Sequence, residues 1–190
     1  MRILCYGDSN TYGYDPRGLL SDEYPEAVRW TSLLANAGYE VVNEGMNGRQ
    51  IPHRPAEINA AIQAISAAKA DLLIVMLGSN DLLMTPSYTA ENISQRMDTF
   101  LGKLQPALPH QKVLLIAPVP MIPGTWVRED RLLRESSRLV HIYKTLSQKL
   151  HIYFADASQW HVELSFDGVH FTEQGHKAFS AGILKFLQHL

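Results

Sequence analysis

The sequence predicts an α/β fold, a three-layer α/β/α sandwich built on a five-stranded parallel sheet. Short apolar runs rich in branched residues alternate with longer stretches of helical period from one end of the chain to the other. Within these runs the apolar residues are consecutive, the pattern of strands buried on both faces rather than on one. Each run is bounded by Gly, Pro, Asn or Asp, which punctuate a chain by turning it.

The expected strands are Arg2 to Tyr6, Tyr39 to Asn43, Asp71 to Leu77, Lys112 to Ala117 and His151 to Asp156. The first helix is framed by Pro25 near its start and Gly38 just past its end, the asymmetry that helix termini favour. The second follows Pro55 and places Ile58, Ala61, Ile62 and Ile65 on one face. Further stripes run through Ile93, Met97, Phe100, Leu101 and Leu104, through Leu132, Leu139, Val140 and Tyr143, and through Phe179, Ile183, Phe186 and Leu187. Helices of this kind are the crossovers that parallel strands require, so the layers stack helix, sheet, helix in a flavodoxin-like arrangement. One connection stands apart, the proline-rich Pro118 to Trp126, which reads as a rigid surface turn, a wall of the substrate pocket or a subunit contact.

Residues 1–190 are long enough for one domain, and 46% hydrophobic content can fill its core. The 17 basic and 19 acidic residues nearly cancel, which leaves no electrostatic footprint for nucleic acid or an anionic membrane. No apolar run approaches the roughly 20 residues of a membrane span. Cys5 is the single cysteine and lies in an apolar strand, where a buried thiol is expected. The N-terminus runs directly into a motif without the apolar stretch of a signal peptide, so the expected location is the cytoplasm. The histidines show no HxH or HExxH spacing, and no metal or other cofactor is expected.

In open parallel sheets ligands bind outside the carboxyl ends of the strands. Four of those ends carry chemistry: Gly7-Asp8-Ser9-Asn10-Thr11, Asn43-Glu44-Gly45-Met46-Asn47-Gly48, Gly78-Ser79-Asn80-Asp81, and Asp167-Gly168-Val169-His170. Together they bring a hydroxyl, a backbone turn, a side-chain amide and an acid/base pair to one edge, which are the parts that acyl transfer needs.

These four segments resemble, in order and across nearly the whole chain, the four sequence blocks of the GDSL/SGNH hydrolases. A bare Gly-Asp-Ser arises by chance in roughly one chain in twenty of this size; its company makes the resemblance specific. The resemblance implies a serine ester hydrolase in which Ser9 attacks the carbonyl, His170 takes its proton and Asp167 orients His170. It further implies an oxyanion hole from the backbone N–H groups of Ser9 and Gly48 and the side-chain amide of Asn80. Asn10 departs from the leucine of the name-giving motif, which bears on substrate class. The α/β-hydrolases share the order Ser, Asp, His, but their Gly-x-Ser-x-Gly elbow is missing from this sequence.

Tyr12, Met46, Trp126, Val169 and Phe171 flank the proposed catalytic positions and are expected to line an acyl or alcohol pocket. The expected substrate is a small-molecule ester, with short acyl groups such as acetyl preferred, and a homo-oligomer is compatible with this reading. A competing reading is a flavodoxin-like module in which the loop from Ser9 to Gly13 cradles a phosphate or nucleotide. It gives Asn80, Asp167 and His170 no role, and the loop lacks a P-loop lysine.

Overall fold

The computed structural model describes residues 1–18 and 22–190. Its sheet has five parallel strands in the order β2-β1-β3-β4-β5, with β1 at Arg2–Gly7, β2 at Glu40–Gly45, β3 at Leu72–Met76, β4 at Lys112–Ala117 and β5 at Tyr153–Asp156. The helices are α1 (Ser9–Tyr12), α2 (Trp30–Asn36), α3 (Pro55–Ala68), α4 (Ser79–Met84), α5 (Ala90–Ala107), α6 (Asp130–Leu150) and α7 (Glu173–Leu187), with a 3-10 turn at Ala157–Trp160. The expected α/β sandwich is therefore the observed one.

The side-chain alternation of the central strands splits the interior in two. Leu4, Leu73, Val75, Val113 and Leu115 face α3, α5 and α6, where Ile65, Met97, Phe100 and Leu139 are fully buried. Ile3, Cys5, Ile74, Leu114 and Ile116 face α2 and α7, packing on Trp30, Leu34, Phe179 and Ile183. Burial raises the Cys5 thiol far above its ordinary range, so it stays protonated and inert. From β1 the chain moves first to β2 on one side and then to β3 on the other. The carboxyl end of β1 is thus the switch point of the topology, the place where adjacent loops part and leave a crevice.

Boundaries differ from the expected ones in instructive ways. Of the helix expected between Pro25 and Gly38, the regular part is Trp30–Asn36, because Arg29 is extended and its guanidinium folds back to donate to the Tyr24 carbonyl. Strand β5 begins two residues later than His151, since His151 closes α6 in a left-handed conformation (φ 53°). Two single-turn helices, α1 and α4, carry no periodic signal at four and six residues, yet they bear Ser9 and Asn80.

Near the site, His176 on α7 is completely buried, accepts the Trp30 backbone N–H at Nδ1, and has Tyr24 and Phe171 edge-to-face on its ring. Burial, reinforced by the Arg29 charge, pushes its pKa down to about 3. An unfolded histidine takes its proton near 6.5, whereas the folded one refuses it until about 3, so the unfolded state binds more protons in that window and stability falls as pH drops through it. Asp8 and Asp81, which burial pushes up to about 6, act in the opposite sense between about 4 and 6. His176→Gln retains an acceptor for Trp30 and removes the titration. Denaturation of the two proteins at pH 7.5 and pH 5 is expected to show the wild type losing about 2 kcal/mol more than the variant.

Candidate active site

At the end of β1 the Asp8 carboxylate accepts the Asn10 backbone N–H (3.0 Å) and starts the single turn α1, which presents Ser9 at the sheet edge. Ser9 Oγ lies 2.9 Å from His170 Nε2, and His170 Nδ1 lies 2.6 Å from Asp167 Oδ2. With Nδ1–H donated to the carboxylate, Nε2 is left as the acceptor for the serine hydroxyl. All three side chains are buried. Burial alone would raise the Asp167 carboxyl, but the His170 ring and the backbone N–H groups of His170 and Val169 hold it below its ordinary value. A charged carboxylate, an imidazole and a hydroxyl in line can move a proton off the hydroxyl as it attacks an electrophile.

The loop that carries His170 is held from two sides. Asn10 donates Nδ2 to the Val169 carbonyl (3.1 Å) and accepts the Phe171 N–H at Oδ1 (2.9 Å), so one carboxamide grips both neighbours of His170. The indole Nε1 of Trp30 donates to the Asn10 carbonyl (2.8 Å) and anchors that grip to α2. On the other side, the proline-rich connection after β4 pairs with the loop through Ile122 N–H to Gly168, Thr125 N–H to Phe166 and Trp126 N–H to Asp167. Tyr14 and Trp126 then flank the imidazole, with ring centroids 4.6 and 4.9 Å away.

Across the crevice, Gly48 occupies the third position of a turn closed by Arg49 N–H to the Met46 carbonyl, with φ +72°, a conformation that side chains resist. Among the described residues its N–H has no acceptor, and neither has that of Ser9. The Gly45 N–H is taken by the Asn43 side chain (2.9 Å), which removes the other glycine of that segment as a free donor. Gly45 is needed for close approach instead, since a Cβ there would stand 2.0 Å from the Tyr12 nitrogen. Asn80, second residue of α4, donates Nδ2 to the Arg49 carbonyl (3.1 Å), which fixes the amide orientation and leaves its second N–H.

Ser9, Gly48, Asn80 and His170 share one cavity of about 190 Å³ with Tyr14, Asn47, Met84 and Trp126. Of the five residues expected in a pocket, Trp126 is there. Met46 lines an adjoining depression of about 430 Å³, which shares Gly48 and Met84 with the cavity. Tyr12, Val169 and Phe171 do not line either. Gly13, left-handed at φ +101°, ends α1 and leaves Tyr12 among Glu23, Asp22 and Arg29 while Tyr14 meets His170. Val169 and Phe171 alternate with His170 and point into the two cores. Tyr14, Asn47 and Met84 were not singled out from sequence; each lies within a few residues of a motif, but no periodicity marks the one that turns inward. Asn10 was visible, yet its partners lie about 160 positions away.

The sequence profile of the GDSL-like lipase/acylhydrolase family matches residues 5–178. No curated protein sequence is a significant match. Among solved structures, an aryl esterase of M. smegmatis is 27% identical with a TM-score of 0.82, covering 100% of this chain and 99% of its own. A putative arylesterase from Agrobacterium tumefaciens is 26% identical (TM-score 0.84, 99% and 98% covered). A carbohydrate acetylesterase family member from Sinorhizobium meliloti is 25% identical (TM-score 0.84, 99% and 97% covered). With this site at the switch point of this fold, the chain belongs to the GDSL-like lipase/acylhydrolase family of carboxylic ester hydrolases.

Proposed function

We propose that the protein hydrolyses small, short-acyl esters, acetyl esters foremost, through an acyl-Ser9 intermediate, as a single catalytic domain over residues 1–190. The observation that carries this reading is the unbroken line from Ser9 Oγ to His170 to Asp167, at 2.9 and 2.6 Å. Ser9 Oγ bonds to the ester carbonyl carbon as its proton passes to His170 Nε2. The C–O bond to the alcohol then breaks, and His170 returns the proton to the departing alkoxide. Water repeats the sequence on the acyl-serine, with His170 again taking a proton and Ser9 regaining one. The oxyanion is received by the Ser9 and Gly48 N–H groups and the free N–H of Asn80.

Short acyl groups fit a cavity of about 190 Å³ walled by Tyr14, Met84 and Trp126, while the bulkier part of a substrate has the adjoining depression. The arylesterase and carbohydrate acetylesterase relatives support a small activated or acetylated substrate. The phosphate-cradle reading has less support: the Asp8 carboxylate already occupies the start of α1 and would repel an anion. Among the described residues no helix is long and apolar enough to cross a membrane.

Hydrolysis of p-nitrophenyl acetate, butyrate and octanoate tests the proposal. Wild type is expected to favour acetate and Ser9→Ala to lose activity, whereas Trp126→Ala shifts preference towards the longer chains; a folded wild type no faster than Ser9→Ala overturns it. Asp167 stays ionised throughout the working range because its carboxyl is held low. Asp167→Asn is expected to lower kcat by about 10⁴, as loss of the orienting carboxylate does in such triads. Asn10→Leu restores the name-giving motif but leaves the Val169 carbonyl and Phe171 N–H unpaired in the interior. A loss of about 1–3 kcal/mol in stability is expected from denaturation, with a fall in kcat at unchanged chain-length ranking.

A further inference from the structure

We infer that Arg49 is a positioning residue that holds the three oxyanion donors in one register, an inference that rests on the hydrolase reading above. Each donor sits on a different segment: Ser9 after β1, Gly48 after β2 and Asn80 at the head of α4. Arg49 bonds to the end of β1 at Gly7, to the β2 loop and to Asn80 itself. It directly follows Gly48, and its N–H closes the turn that gives Gly48 its positive φ. Its carbonyl accepts Asn80 Nδ2 at 3.1 Å. Its guanidinium lies over the Tyr6 ring, 4.2 Å from the centroid, and Nη1 donates to the carbonyls of Gly7 (3.1 Å) and Glu44.

Gly7 is two residues before Ser9 and Glu44 is four before Gly48, so the guanidinium ties together the ends of β1 and β2 from which two donors depart. The next residues complete the attachment to α4: Gln50 Nε2 reaches the Asn80 carbonyl at 3.5 Å, and the Ile51 N–H donates to Asp81 Oδ2 at 3.1 Å. A planar, forked cation can stack on a ring while donating to two carbonyls, whereas an ammonium on a flexible stem holds neither plane nor angle. Nη1 and the face of the guanidinium are engaged by these contacts, and although the residue also borders the depression of about 430 Å³, its bonds run to the segments that carry the donors. An oxyanion hole acts by preorganisation, and its donors must meet the charge without reorienting as it forms. A displacement of about 1 Å in such a site costs on the order of 10²-fold.

Steady-state kinetics of Arg49→Lys, Arg49→Met, Asn80→Ala and the double variant Arg49→Met with Asn80→Ala test the inference. Asn80→Ala alone is expected to lower kcat by about 10²–10³; if it does not, the oxyanion assignment fails and not the role of Arg49. Given that loss, Arg49→Met is expected to lower kcat by about 10–100-fold with KM changed by less than about threefold. Its cost should be severalfold smaller in the Asn80→Ala background, because one of the donors it aligns is already gone. Arg49→Lys keeps the charge and is expected to show the same kcat-selective loss, so it carries the test if Arg49→Met does not fold. Retention of kcat within twofold, a loss confined to KM, or full additivity with Asn80→Ala would overturn it.

Discussion

Ser9 and His170 must stay within hydrogen-bond reach although 161 positions separate them, and much of the architecture serves that one distance. A serine at the end of a central strand is fixed to within the rigidity of the sheet. The histidine is on a loop between β5 and α7 and has no such support of its own. The Asn10 carboxamide supplies it from the serine's own turn, bonding the residues on either side of His170. The Ser9 hydroxyl and the His170 imidazole are thus referenced to the same four-residue helix, and motions of the outer helices need not change their separation.

Keeping Asp167 charged in the interior is the second demand. Removing a carboxylate from water is expensive unless hydrogen bonds replace the hydration it loses. Here two backbone N–H groups of its own turn and the imidazole N–H fill its acceptor positions. The three-residue spacing to His170 makes this possible, since the same tight turn that delivers the imidazole also aims the N–H groups back at the carboxylate. The loop after β4 seals that turn with three backbone bonds and contributes Trp126, half-exposed against the imidazole. A proline-rich segment suits this job, because a chain with few accessible conformations loses little entropy when it is pinned.

Much of this was legible in the sequence, because strand runs, helical stripes and four motifs at strand ends are local patterns. Parallel strands linked by helices have few topologies, so alternation alone led to the observed sheet, and the rule that ligands sit at carboxyl ends led to the edge where Ser9, Asp167 and His170 meet. The residue types for acyl transfer were all in the motifs. The resemblance implied the Gly48 N–H rather than that of Gly45; in the structure the Asn43 side chain takes the Gly45 N–H, and the Gly48 N–H has no acceptor among the described residues.

What the tertiary structure alone decided was direction. Whether Tyr12 or Tyr14 meets His170 depends on where a single helical turn stops, and the left-handed Gly13 stops it after Tyr12. Whether Asn10 marks a substrate preference or braces a loop depends on groups brought to it from the far end of the chain. The sequence determined the fold class and the chemical inventory of the site through short-range periodicity and residue type. The aim of each side chain was decided by long-range packing, which adds up contacts that no local pattern encodes.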